Sequence, residues 1–181
     1  MIVSTEDAEI ADAARASGAE VPFLRPAEFS RDDVPNQSAI DHALAWLAEN
    51  ERYIPEAVLI LQPTSPLRSG DDIRAAVKLL ETSGGASVVS VSAAETPPHL
   101  LRQIEDSGRL SGWRAASPPP VSALQRAALF QINGAIYLDR HPAHPDTGGP
   151  LAYVMPPERS LDIDSPWDLR LAAAILHLSP Q

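Results

Sequence analysis

Apolar residues in this chain fall into runs of two kinds. Ala57-Val58-Leu59-Ile60-Leu61 is continuous and bounded by turn signals, which is the pattern of a strand buried on both faces. Residues 86–91 are predicted as a second buried strand after Gly84-Gly85, and further strands at 132–138 and 151–155. Met1-Ile2-Val3-Ser4-Thr5 has the look of the C-terminal end of another inner strand. Between these runs the apolar positions recur at helical spacing. They are Ile10 with Ala13 or Ala14 in 6–17, and Ile40, Ala43/Leu44 and Leu47 in 37–50. Ile73, Val77 and Leu80 mark a third helix ending near Thr82, and Trp167, Leu171, Ala174/Ile175 and Leu178 a fourth over 166–178. Gly18 stops the first helix. Ser69 with Asp72, and Ser165 with Asp168, have the spacing of capping boxes, and Pro166 sits at a first helical position.

Strand, helix and strand in alternation predict an α/β domain: a three-layer sandwich with a mostly parallel central sheet and helices on both faces. The alternation breaks over 92–130. That stretch holds Pro97-Pro98, a hairpin of 101–104 and 110–113 around Ser107-Gly108, and the prolines at 118–120. It is an excursion from the sheet, so residues 1–181 are expected to form a single domain.

Composition narrows the functional classes. The formal net charge of −10 repels a phosphate backbone, which argues against nucleic acid as a partner. The absence of cysteine excludes a disulfide framework and thiolate metal ligation. No apolar run has the length of a membrane span, and no basic segment leads into an apolar one at the N-terminus. A soluble cytoplasmic protein is expected.

Three polar clusters are expected at the carboxyl ends of the strands, where open α/β sheets bind ligands. Ser4-Thr5 follows the first strand fragment. Gln62-Pro63-Thr64-Ser65 follows the 57–61 strand, offering an amide, two hydroxyls and backbone N–H groups, with Arg68 able to neutralise a phosphate or carboxylate. Asp162 and Asp164 alternate with Leu161 and Ile163, so an extended chain puts both carboxylates on one face. Their Cα atoms would then lie ~6–7 Å apart, close enough to share a hard cation such as Mg²⁺. Each cluster has a plainer alternative: a bare Asp-x-Asp is often a solvated turn, and Ser65-Pro66 often starts one. His141-x-x-His144-x-Asp146 has metal-like spacing in a loop rich in proline and glycine. His42, His99 and His177 suit surface or helix-face positions, and Trp46 and Trp167 suit packing anchors. Ser4, Ser65 and Ser160 lack the paired base or Gly-x-Ser-x-Gly elbow of a hydrolase nucleophile.

Five motifs in order carry a resemblance. They are Val3-Ser4-Thr5; Val21-Pro22-Phe23-Leu24-Arg25-Pro26; Gln62-Pro63-Thr64-Ser65-Pro66-Leu67-Arg68; Asn133-Gly134-Ala135-Ile136-Tyr137; and Leu161-Asp162-Ile163-Asp164. Together they resemble the acylneuraminate cytidylyltransferases, or CMP-sialic acid synthetases, including relatives that act on pseudaminic and legionaminic acids. The resemblance covers nearly the whole chain and implies a nucleotide-diphospho-sugar transferase-like fold. It implies that Ser4, Gln62, Pro63, Thr64 and Ser65 line the cytidine nucleotide site. Asp162 and Asp164 would be the catalytic, metal-holding pair that sets Mg²⁺ against the triphosphate. Arg68, Asn133 and Tyr137 would be substrate-side residues. The implied partners are CTP, a nonulosonic acid and a second copy of the chain, paired through the excursion at 92–130.

The departures bear on function. The family's first strand and its glycine-rich basic phosphate loop, of the Ala-Arg-Gly-Gly-Ser-Lys type, have no counterpart here, and the chain starts at what would be the second strand. Glu6 stands where the family has Asp, Gln125-Arg126 where it has Arg-Gln, and Phe130-Gln131-Ile132 where the lead-in is more polar. Two functions follow. One is a cytidylyltransferase that activates a nonulosonic acid with CTP, giving the CMP-sugar and pyrophosphate. The other is a truncated, non-catalytic remnant acting as a sugar-binding or dimerisation module.

Overall fold

A computed structural model describes residues 1–31, 33–94, 96, 100–112, 129–143 and 148–178. Pro97, Pro98, Trp113, the prolines at 118–120, Gln125, Arg126, His144 and Asp146 lie outside them. So does most of the expected excursion. The chain divides into two compact units, Met1–Pro55 and Glu56–Gln181.

In the first unit, helix α1 (Ala8–Ala16) is capped by Asp7, whose Oδ1 accepts from the amides of Glu9 (2.7 Å) and Ile10 (3.2 Å). Its buried position is Ala11; Ile10, expected inside, is exposed. Gly18, at φ 84°, turns the chain back so that Ile2 and Glu20 form a parallel bridge. Arg25 holds the following loop, with Nη2 2.6 Å from Glu6 Oε2 and Nε 3.0 Å from Ser30 Oγ. Helix α2 (Asn36–Glu51) packs His42 edge-on to Phe23 and against Phe29, with Trp46 beside Phe23. Trp46 is thus a packing residue, as its place on the helix predicts.

The second unit carries the sheet. Its strands are β1 (Ala57–Ile60), β2 (Ser87–Ala93), β3 (Arg102–Ile104), β4 (Leu110–Gly112), β5 (Phe130–Arg140) and β6 (Leu151–Val154). Four of them pair in the order β1-β5-β2-β6, and β3 with β4 form the hairpin expected around Ser107-Gly108. Strands β1, β2 and β6 point the same way. Strand β5 lies antiparallel between β1 and β2, so the sheet is mixed. The strand–helix–strand unit of β1, the helix Gly70–Ser83 and β2 is present, with β5 inserted into its gap. Helix α3 (Gly70–Ser83) lies across β2, β5 and β6 and buries Ala76 and Leu80 against Val88, Ile136, Leu138 and Met155. This is an α/β fold.

Helix α4 (Pro166–Leu178) starts at the predicted capping box: Ser165 Oγ donates to Asp168 Oδ2 (2.6 Å), and the Asp168 amide donates back to Ser165 Oγ (3.3 Å). Its buried position is Ala172, about 140° round the wheel from Trp167. The predicted stripe is therefore wrong for this helix: Trp167 is 68% exposed, Leu171 41% and Leu178 83%. Among the described residues no helix is long and apolar enough to cross a membrane.

Asp72 ties three parts of this unit together. It is fully buried in the first turn of α3, where Ser69 donates to Oδ2 from both its amide (2.9 Å) and its hydroxyl (2.6 Å). Arg159 reaches it from the 3₁₀ turn Pro157–Arg159, with Nε 2.9 Å from Oδ2 and Nη2 2.8 Å from Oδ1. The Tyr153 hydroxyl of β6 donates to Oδ1 at 3.0 Å. Burial alone raises the carboxyl pKa. The Arg159 fork, the two Ser69 donors and the tyrosine outweigh it and hold Asp72 well below the usual carboxylate range.

A carboxyl depressed in the folded state contributes stability that is complete above its unfolded pKa and is lost as pH falls towards the folded one. Arg159→Ala should cost ~1–3 kcal/mol at pH 7, the arginine being partly solvated. It should also flatten the loss of stability below pH ~4. Urea unfolding of both proteins between acid and neutral pH measures the two effects.

Candidate functional site

The site grows from an irregularity in β5. Val89 of β2 pairs with Tyr137 and Val91 pairs with Ile132, so the one residue between them, Ser90, faces four: Asn133, Gly134, Ala135 and Ile136. Main-chain bonds cannot follow such a bulge. The Ser90 hydroxyl takes their place, accepting from the Ile136 amide at 2.7 Å and donating to Asn133 Oδ1 at 2.6 Å, with the Ile136 carbonyl 3.3 Å away. Asn133 Oδ1 also accepts from the Ala135 amide at 3.3 Å, which fixes the way the side-chain amide points. Its Nδ2 donates to Ser160 Oγ at 3.0 Å, and Ser160 donates to the Pro156 carbonyl at 2.8 Å. Ser90 and Asn133 are both buried, and each of their side-chain polar atoms has a partner, as burial requires.

Gly134 stands at the crest of the bulge with φ 74°. A Cβ there would meet Gln62 Oε1 at 2.9 Å, and Asp162 Oδ2 and Ser65 Oγ at 3.5 Å each. Three oxygens from two other segments thus line the face that the glycine leaves open. Gly134 is thus a point of close approach inside a strand, where a side chain would not fit.

Backbone bonds fix those segments. The 62–65 loop leaves β1, the Ser65 amide donates to the Gln62 carbonyl at 3.3 Å, and buried Ser65 reaches the Asn133 carbonyl through Oγ at 3.4 Å. The Ile163 amide donates to the Thr64 carbonyl at 2.8 Å, which lays the Asp162 run beside the loop. Arg68 Nη1 donates to the carbonyls of Ala135 (2.6 Å) and Gln62 (3.3 Å), lashing the loop to the bulge. Burial pulls the Arg68 pKa down, but a guanidinium stays charged.

The structure therefore brings Gln62, Ser65, Asn133 and Asp162 together, with Thr64 joined by its carbonyl and Arg68 by its guanidinium. Pro63 is exposed. Tyr137 lies past the bulge in the regular ladder, opposite Ile60 and Val89. Asp164 is exposed, and its amide donates to Asp168 Oδ2 at 3.2 Å, so the two aspartates have different surroundings. Ser4 belongs to the first unit, where its Oγ is buried without a partner among the described residues.

Asp162 Oδ1 is likewise buried with no hydrogen-bond partner among the described residues. Such an oxygen needs a cation or a donor to offset its desolvation. No group of three or more His, Cys, Asp or Glu side chains gathers among the described residues. Mg²⁺ commonly takes only one or two carboxylates and completes its shell with phosphate and water, so these donors fit it. The structural parts played by Ser90, Ser160 and the Asp72–Arg159 pair were not legible in the sequence. The available signal was Ser90 itself, a hydroxyl set among Val88, Val89 and Val91.

No protein-family model matches the chain. In sequence it is similar to an N-acylneuraminate cytidylyltransferase of Escherichia coli O18:K1:H7, with 33% identity over 97% of this chain and 41% of that protein. It is also similar to a CMP-N,N'-diacetyllegionaminic acid synthase of Legionella pneumophila, with 30% identity over 100% of this chain and 79% of that protein. It thus spans less than half of the first relative and about four fifths of the second. In fold it is similar to a CMP:2-keto-3-deoxy-manno-octonic acid synthetase solved in complex with CTP, with a TM-score of 0.64 and 14% identity over 97% of this chain and 80% of that one. A 4-diphosphocytidyl-2C-methyl-D-erythritol synthase from Anaerococcus prevotii gives a TM-score of 0.57 at 12% identity, with the same coverage.

Two substitutions test the bulge. Gly134→Ala places a Cβ on Gln62 Oε1 at positive φ and should destabilise by ~1–3 kcal/mol in thermal unfolding. Asn133→Asp sets a buried charge against Ser160 Oγ, whose proton is already donated to Pro156, and should cost ~3 kcal/mol at pH 7. That penalty should shrink in acid, because protonation of the raised carboxyl restores a donor towards Ser160.

Proposed function

The chain belongs to the acylneuraminate cytidylyltransferase family, with the nucleotide-diphospho-sugar transferase fold, and we propose that it transfers a cytidylyl group from CTP to a nonulosonic acid. The anomeric hydroxyl attacks the α-phosphorus. A sugar-oxygen–phosphorus bond forms, the bond to the bridging α–β oxygen breaks, pyrophosphate leaves and the hydroxyl proton passes to solvent. The observation that carries the proposal is the convergence of Gln62, Ser65 and Asp162 on the open face of Gly134, with one Asp162 oxygen buried and unpartnered.

Each residue has a part in this scheme. Gln62, Thr64 and Ser65, with Pro63 shaping the turn, take the cytidine side. Asn133 and Tyr137 take the sugar side. Asn133 Oδ1 already holds two protein donors, so what it offers a substrate is its remaining Nδ2 hydrogen, a donor for a sugar or carboxylate oxygen. Arg68 orients the loop, since its Nη1 bonds to two backbone carbonyls. Asp162 and Asp164 would hold Mg²⁺, which supplies charge neutralisation at the phosphate oxygens when bound. Transfer of this kind rests on positioning and electrostatics more than on covalent help from the protein. The protein works in the cytoplasm as a homodimer.

Calorimetric titration with CTP and Mg²⁺ should show metal-dependent binding that Asp162→Asn/Asp164→Asn weakens by at least about tenfold. Absence of binding by the unaltered chain at about millimolar CTP, an affinity of only ~4 kcal/mol, would overturn the assignment.

A further inference from the structure

We propose that Ser90 is a positioning residue for the CTP site, acting through the bulge rather than by touching nucleotide; the inference rests on the function proposed above. Ser90 lies in β2, outside every motif that carries the resemblance, and is fully buried. Its hydroxyl accepts from the Ile136 amide at 2.7 Å and donates to Asn133 Oδ1 at 2.6 Å, so it grips the bulge at both ends. Between those ends lie Gly134, whose open face Gln62, Ser65 and Asp162 line, and the Asn133 carbonyl that accepts from Ser65 Oγ at 3.4 Å. Arg68 joins the same four residues through the Ala135 carbonyl.

A hydroxyl is needed here because one atom must both accept and donate. Alanine can do neither, and a thiol does both weakly. Without it the Ile136 amide and Asn133 Oδ1 lose their shared partner. The bulge can then relax, and the Gly134 backbone is no longer held to the spacing that Gln62 and Asp162 require. Val88 supplies the contrast. It is equally buried, two residues earlier on β2, but it pairs with Leu138 and Leu151 in the regular ladder and its side chain, having no polar atom, takes no part in the bulge hydrogen bonds.

The test compares the unaltered chain with Ser90→Ala, Ser90→Cys and Val88→Ala, reading melting temperature and CTP affinity in Mg²⁺ by calorimetry. Both Ser90 variants should weaken CTP binding by about tenfold, because binding must then restore a bulge that has relaxed away from its unpaired amide. Val88→Ala should lower the melting temperature at least as far yet keep CTP affinity within about twofold. Ser90→Cys, close to serine in size, keeps the comparison available if Ser90→Ala fails to fold. Normal affinity in the Ser90 variants would overturn the positioning role and leave the CTP assignment standing. Equal loss in Val88→Ala would also overturn it, by showing that general destabilisation is enough. No CTP binding by the unaltered chain would overturn both.

Discussion

Where β5 bulges away from β2, four residues of backbone have one side chain to answer them, and the architecture of the site depends on how that mismatch is met. The Ser90 hydroxyl meets it with bonds to Ile136 and Asn133. The satisfied amide of Asn133 in turn fixes the position of Ser160. An unmet amide or carbonyl at this depth would destabilise the unit by about as much as a typical core substitution. The conformation that results needs a glycine at its crest, and the glycine leaves the opening that Gln62, Ser65 and Asp162 share.

The second anchor is electrostatic. Asp72 receives bonds from Ser69, Tyr153 and Arg159, joining the start of α3, strand β6 and the turn that leads into the Asp162 run. It is buried and charge-assisted, unlike the pairs Arg15–Asp12, Arg31–Asp33 and Arg74–Asp71, which are solvent-exposed and contribute little. The site is therefore clamped from two directions by groups that touch no ligand. Ser90 sets the shape of β5, and Asp72 sets where the Asp162 segment begins.

The sequence made local features legible and left long-range ones hidden. The apolar runs at 57–61 and 86–91 marked their strands, and Ser69, Asp72, Ser165 and Asp168 marked two helix starts, because strand burial and capping are written in neighbouring residues. An apolar run carries no direction, so nothing in 132–138 announced that β5 runs against its neighbours. A helical period names an apolar face but not whether anything covers it, which is why Trp167, Leu171 and Leu178 were expected inside and lie outside. Gly134, Gln62, Ser65 and Asp162 could be named from motifs, and they do converge. The hydroxyl that arranges them could not, because Ser90 and Asn133 are 43 residues apart and only the folded sheet introduces them.

Arg68 has a consequence that reaches past its bonds. Its partners at 2.6 and 3.3 Å are carbonyl oxygens, dipoles without net charge, and among the described residues it forms no ion pair. The guanidinium therefore does a structural job without being neutralised. In a chain of net charge −10, its field persists at the loop after β1, weakened little by solvent because the group is partly buried. A polyanion approaching a repulsive surface is attracted by that one retained charge, which partly offsets the Asp162 carboxylate near Gly134. Adding salt should soften the overall repulsion more than it softens this attraction.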